Sequence, residues 1–286
     1  MGVPVRPLTA NQSSPGPHPG PKTAYSALIR TFNSEKTLPV TLASLEHQTN
    51  PPHQYIFVDS GSTDRTLGSL PTGALVHRYE GKDFNFAAAI NQGLRLVTNH
   101  HVLIISSHTE LRKPKAMDYA LALLNSNPDI GAAYFADENH GPLRHKLIGR
   151  HNFTGFNGVW NTCAVIKFSL LQKRHFRSEV FAAEDQEWSA WLLTSEGKMI
   201  ARISGSGLAI HNPRKHSLRK RLNEYVAVAY FANRKLLGWP HIYSLLKQAV
   251  HPASHIGRPN RKFNLLLSVR LAACHIFKPH GKSRYY

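Results

Sequence analysis

The amino-terminal half of the chain alternates short apolar runs with stretches of helical spacing, and no other feature restricts the fold as much. "SALIRTF" (Ser26 to Phe32) reads as a first strand and "QYIFVD" (Gln54 to Asp59) as a second. A third lies around Ala74 to Arg78 and a fourth at Val102 to Ile105. Between the first two, Leu38, Leu42 and Leu45 recur at helical spacing over Glu35 to Thr49, and Pro51-Pro52 ends that helix. "DFNFAAAINQGLRLV" predicts the next helix. Strands alternating with helices at this interval predict an α/β fold with a mostly parallel central sheet. In such a sheet ligands bind outside the carboxyl ends of the strands, so the residues that end each run are the first candidates for chemistry.

Asp59 closes the second run in "VDSGSTD". The fourth run ends in Ser106-Ser107-His108 and carries no carboxylate. Glu184-Asp185 opens "EDQEWSAWLLTSEG", a predicted helix whose Trp188, Trp191 and Leu192 face inward. "RISGSGLAIH" is a late strand that ends at His211, and the Gly-, His- and Asn-rich stretch from about Glu138 to Asn161 is expected to form loops lining a site. Taken alone, Asp59 and Asp64 also suit the capping of a turn, and acidic residues are commonplace at helix starts. No GxGxxG follows the first strand, no GxxxxGK[ST] occurs, and GxSxG is absent, which argues against dinucleotide binding, a P-loop and an α/β-hydrolase.

Charge adds a second constraint. The 286 residues carry a formal net charge of +18, and after Glu224 there is no Asp or Glu. Such a stretch attracts polyanions, either nucleic acid or an anionic membrane surface. No helix-turn-helix, RRM or zinc-finger spacing accompanies it, which counts against nucleic acid. Nothing approaches the roughly eighteen continuous apolar residues of a membrane span. The first 24 residues, rich in Pro, Gly and Ser and without an apolar core segment, read as a disordered leader. Cys163 and Cys274 form no framework, which suits buried, reduced thiols in a cytoplasmic protein. The expected organisation is a leader (1–24), a catalytic domain (25–216) and a basic helical extension (217–286), with "FNLLLSVRLAACHIF" a candidate interfacial helix.

In order, "IRTFNSEKTLPVTLASLEHQT", "IFVDSGSTDRTL", "FNFAAAINQGL", "VLIISSHTEL", "WNTCAVIKFSL" and "AEDQEWSAWLLTSEG" resemble family 2 glycosyltransferases with a GT-A-type nucleotide-diphospho-sugar transferase fold, over roughly Tyr25 to His211. The resemblance implies inverting transfer of a sugar from a nucleotide diphosphate sugar to a glycan or lipid-linked acceptor. It implies that Thr31, Asn33 and Glu35 line the nucleotide pocket, that Asp59 contacts the nucleoside and that Asp185 is the general base, with Glu184 orienting it or binding acceptor. The family usually ends its fourth strand in Asp-x-Asp, which binds Mg²⁺ or Mn²⁺. Here Ser106, Ser107 and His108 stand there, similar to a rhamnosyltransferase-like branch with Ser-x-His. His108 and His211 are then the candidate metal ligands, and imidazole suits Mn²⁺ better than Mg²⁺. A charged His108 facing the diphosphate without metal stays open. Arg214 and its basic neighbours are candidates for a lid over the diphosphate. The expected setting is surface polysaccharide or lipopolysaccharide synthesis, cytoplasmic and peripheral at the inner membrane face. The competing reading is a noncatalytic or nucleic-acid-binding basic protein with a degenerate version of the fold.

Overall fold

The computed structural model describes residues 23–80, 83–137, 141–205, 207–211, 217–250 and 261–281. The expected leader, except for Thr23 and Ala24, and the candidate lid residue Arg214 lie outside the described residues. Strands β1 (Ser26–Thr31), β2 (Gln54–Asp59), β3 (Leu75–Arg78) and β4 (His101–Ser106) run parallel, with β1 between β2 and β4. A small ladder follows from β5 (Thr109–Leu111). The sheet then continues through β6 (Ile130–Asp137), β7 (Arg144–Ile148), β8 (Cys163–Lys167) and β9 (Met199–Gly205), in the order β3-β2-β1-β4-β8-β6-β9-β7. β8 runs antiparallel to both β4 and β6, β6 and β9 are parallel, and β7 closes the edge antiparallel to β9. β10 (Ala209–His211) pairs antiparallel with β5.

The alternation of side chains along the strands divides the core between the two faces of the sheet. Ile29, Phe57, Leu103 and Ile105 pack on one face against α1 (Leu38–Glu46) and α3 (Ala116–Ser126). Leu28, Val58 and Ile104 pack on the other against α2 (Phe86–Leu94) and α5 (Glu184–Thr194), with α4 (Phe168–Lys173) at its margin. Burial on both faces is why the central strands read as nearly continuous apolar runs. The approach of α2 is close: a Cβ on Gly93 would lie 2.6 Å from Val58 Cγ2 and 2.8 Å from Leu28 Cδ1.

Three elements differ from the sequence expectation. α1 begins at Leu38 rather than Glu35, because Pro39 occupies its first turn, where a missing N–H costs nothing. "RISGSGLAIH" divides into β9 and β10. The expected loop region contains β7, whose "RHKLI" is largely exposed; an edge strand with one solvated face lacks the apolar run that marks a buried one.

The carboxy-terminal helices α6 (Leu218–Ala227), α7 (Trp239–Val250) and α8 (Arg261–Ala273) enclose a third core of Leu222, Val226, Ile242, Leu245, Leu267 and Leu271. A π turn (Val228–Ala232) and a 3₁₀ turn (Arg234–Leu237) join α6 to α7. Phe181 belongs to this core, and Ala182 and Ala183 pack against it. The extension therefore abuts the start of α5.

Candidate active site

The β1 and β2 ends form one interlocked loop pair. Asp59, 1% exposed, accepts hydrogen bonds at both carboxylate oxygens: Thr31 Oγ1 (2.9 Å) and Ser62 Oγ (2.5 Å) on Oδ1, and the amides of Gly61 (3.1 Å) and Ser62 (2.9 Å) on Oδ2. That fills the usual acceptor capacity of a carboxylate, so Asp59 shapes the loop from inside. Asn33 sits in the left-handed region (φ 47°), donates its amide to Ser62 Oγ (2.9 Å) and accepts the Thr63 amide on Oδ1 (2.8 Å). Asparagine tolerates that conformation better than most residues. Asp64 caps the 3₁₀ turn Arg65–Ser69 through the Thr66 amide and accepts the Glu35 amide (3.1 Å). Glu35 pairs with Arg65 (2.7 Å), whose hydrogen bonds hold its carboxyl below the usual range.

At the β4 end Ser106 and Ser107 are both buried. Ser107 Oγ lies 2.7 Å from Ser34 Oγ, fastening β4 to the turn after β1. Arg30, in β1 and only 9% exposed, reaches Ser106 Oγ (3.5 Å) and donates to the Asn161 carbonyl (3.3 Å) through Nη2. Its guanidinium carbon stands 5.2 Å from the Phe86 ring centre. Asn161 in turn donates its amide to Asp185 Oδ2 (3.2 Å) and its side-chain nitrogen to Glu184 Oε1 (3.2 Å). A continuous polar path thus joins Ser106, Arg30 and Asn161 to the two carboxylates that open α5.

Asp185 retains partial solvent exposure, whereas Glu184 is buried. Burial, then the neighbouring Glu184 charge, pushes the Asp185 carboxyl up to about 7; the Asn161 and Gln186 amides and the Arg30 charge oppose the rise. Ala183, immediately before the helix, holds φ at 57°, a conformation uncommon for alanine. The loop carrying Asn161 is fastened to α5. Gly158 donates its amide to Gln186 Oε1 (2.8 Å), Val159 donates to Ser189 Oγ (2.8 Å), and Gln186 Nε2 donates to the Val159 carbonyl (2.8 Å). A Cβ on Gly158 would lie 2.5 Å from Ser189 Oγ. Gly158→Ala is therefore expected to lower stability by about 1–3 kcal/mol, as overpacking does, measured by denaturant unfolding.

His108 lies in the turn between β4 and β5, part-buried, and Thr109 is registered opposite His211 in the β5–β10 ladder. The backbone thus sets His211 across from the neighbour of His108. Among the described residues no group of three His, Cys, Asp or Glu side chains is arranged to hold a metal ion. Trp188 is fully buried and donates its indole N–H to the Arg174 carbonyl (2.9 Å), so it is a core residue rather than a platform for an acceptor ring. Glu187, also buried, pairs with Arg174 (2.5 Å) and Arg177 (3.4 Å).

Arg30 and Asn161 are the residues sequence reasoning did not single out. A lone arginine inside the apolar "SALIRT" was a usable signal, since a buried charge requires partners. Asn161 gave no local signal, because its role depends on loop placement. Cys163 and Cys274 are buried and unpaired, as expected.

Solved structures with a similar fold include the mannosyltransferase PcManGT from Pyrobaculum calidifontis in complex with GDP-Man and Mn²⁺, with a TM-score of 0.59 at 17% identity over 94% of this chain and 80% of that one. TarS 1-349 of S. aureus in complex with UDP-GlcNAc gives 0.53 at 16% identity over 90% and 76%. The mannosyl-3-phosphoglycerate synthase of Rubrobacter xylanophilus gives 0.51 at 18% over 75% and 74%. No curated protein is similar enough in sequence to count as a match. The model of the family described as Glycosyl transferase family 2 matches residues 26–175, from β1 past α4, so the Glu184-Asp185 pair lies just beyond the matched segment. With that match over more than half of the chain, and the mixed sheet of GT-A type around it, the chain belongs to glycosyl transferase family 2 and is a glycosyltransferase.

Proposed function

We propose that the protein is an inverting transferase in which Asp185 removes the proton from an acceptor hydroxyl of a glycan or lipid-linked sugar. The observation that carries this reading is Asp185 itself: a part-exposed carboxylate, with its proton affinity raised to about 7, tied through Asn161 and Arg30 to the carboxyl ends of β1 and β4. A base near neutrality is efficient at neutral pH. In the proposed step the acceptor O–H proton passes to Asp185, the oxygen forms a bond to the anomeric carbon, and the bond from that carbon to the diphosphate oxygen breaks. The nucleoside diphosphate leaves from the opposite face, so the anomeric centre inverts.

Thr31, Asn33, Glu35 and the Asp59 loop border the proposed nucleotide site, and Ser106 and Ser107 join the same edge. Glu184 orients Asp185 through their shared partner, Asn161. His108 and His211 are the proposed protein ligands of a divalent ion, with the donor diphosphate supplying the others, and imidazole would favour Mn²⁺ over Mg²⁺. Such an ion would neutralise charge on the departing diphosphate. Transfer of rhamnose in surface polysaccharide or lipopolysaccharide synthesis, with Ser106-Ser107-His108 in place of Asp-x-Asp, is the finer reading.

Titration calorimetry with a panel of nucleotide diphosphate sugars, in EDTA, Mg²⁺ and Mn²⁺, tests the proposal. One donor is expected to bind, more tightly with Mn²⁺, and its product to show inverted configuration by NMR. Binding indifferent to EDTA would overturn the metal reading alone. Absence of binding by every donor would overturn the reading of the site.

A further inference from the structure

Outside the catalytic edge, the largest unexplained feature is apolar surface on the extension. On α7, Trp239, Tyr243 and Val250 fall at intervals of four and seven, which places them on one stripe of the helix. Trp239 is 63% exposed, Tyr243 69% and Val250 63%. The adjoining flank of the same helix is already used, because Ile242 and Leu245 are buried in the third core and Leu246 packs against it. α8 repeats the arrangement: Leu267 and Leu271 face that core, while Leu265 and Val269 are exposed. Trp239 stacks on His275 just beyond α8, with ring centres 4.9 Å apart, and Ile276 and Phe277 continue the exposed surface there. Both helices therefore turn a second apolar stripe away from the core they share.

Charge identifies the occupant. Lys247 stands on the Tyr243–Val250 side of α7 and Lys262 on the Leu265–Val269 side of α8, both exposed. Residues 225–286 contain ten Lys and Arg and no Asp or Glu. A second copy of this face would bring like charges together, so the surface is ill suited to self-association. Nucleic acid would engage the cations but leave the exposed leucine, valine and isoleucine side chains without a partner. A negatively charged bilayer satisfies both: its interface accepts tryptophan, tyrosine and aliphatic side chains, and its headgroups attract the flanking lysines. No described helix is long and apolar enough to cross a membrane.

We propose that the outward faces of α7 and α8 form a docking surface for an anionic lipid bilayer, on which the enzyme lies without spanning it. The proposal deepens the lipid-linked acceptor reading but stands on this surface alone. The test is flotation of the intact protein with vesicles of phosphatidylglycerol and phosphatidylcholine, compared with phosphatidylcholine alone, alongside donor binding by the same preparation. Flotation is expected with the anionic vesicles only, and brominated lipids are expected to quench tryptophan fluorescence, a signal that Trp239→Phe reduces. The double variant Tyr243→Ser with Val269→Ser replaces exposed groups. It should therefore fold normally by circular dichroism while losing about tenfold or more of vesicle affinity. The proposal is overturned if the protein does not float with anionic vesicles. It is also overturned if flotation vanishes in moderate salt and the double variant behaves as wild type, which is simple polyanion attraction, or if sedimentation shows a dimer that the same variant separates. Each of these leaves donor binding, and with it the catalytic reading, independently measurable.

Discussion

Asp185→Asn is expected to lower kcat by about 10²- to 10⁴-fold, the usual contribution of a general base, while leaving donor affinity close to that of the parent enzyme. The amide keeps the side-chain shape but has a single oxygen, so it accepts only one of the two backbone amides that reach Oδ2 from Asn161 and Oδ1 from Gln186, and it cannot take up the acceptor proton. Initial rates and donor titration on the same preparation separate the two effects. Unchanged turnover would remove Asp185 from the chemistry. In the parent enzyme activity should rise with pH through about 7, because only the ionised form acts as a base. The sign for stability is opposite. A carboxyl raised above its unfolded value binds more protons in the folded state, so it contributes stability below the unfolded pKa and loses it as pH rises through the folded one. Asp185→Asn does not titrate there, so the stability of the parent should fall relative to that of the variant as pH rises through about 7, which distinguishes a lost base from a damaged fold.

Arg30→Met is the second change. It removes the buried cation that opposes the rise in the Asp185 carboxyl, so the acid limb of the kcat/KM profile should move to higher pH, though only modestly, because that charge is the weakest of the influences on the group. Turnover at neutral pH falls with it. In the proposed reaction Arg30 would act through Asn161 and Asp185, as a positioning residue. Arg30→Lys keeps the charge and should hold the limb near its original place even if stability declines, because lysine cannot reproduce the geometry of a guanidinium donating to Ser106 and Asn161. A purely structural Arg30 would lower stability in both variants without moving the limb.

The two variants also mark where sequence reasoning reached and where it stopped. The order of the main strands and helices from β1 to β4 was legible because buried parallel strands and amphipathic helices leave apolar patterns of their own. Asp59, Ser106 and Asp185 became candidates because each ends a strand or opens a helix. β7 was not found, because its exposed face breaks the pattern. The candidate interfacial helix falls on α8, whereas the exposed stripe on α7 left no signal of its own: Trp239, Tyr243 and Val250 resemble core positions until Ile242 and Leu245 are seen to be the buried ones.

Local periodicity and strand-end chemistry determined from sequence alone that this chain forms an α/β sheet with its acidic and polar residues at one edge. Only the tertiary structure decided how that edge works. Arg30 and Asn161 are separated by 131 positions in the chain and join by a 3.3 Å hydrogen bond, and Asp185 acquires its proton affinity from burial and from charges brought there by folding. Periodicity is a property of neighbours along the chain, whereas desolvation and Coulomb interactions depend on distance through space, which the sequence does not carry.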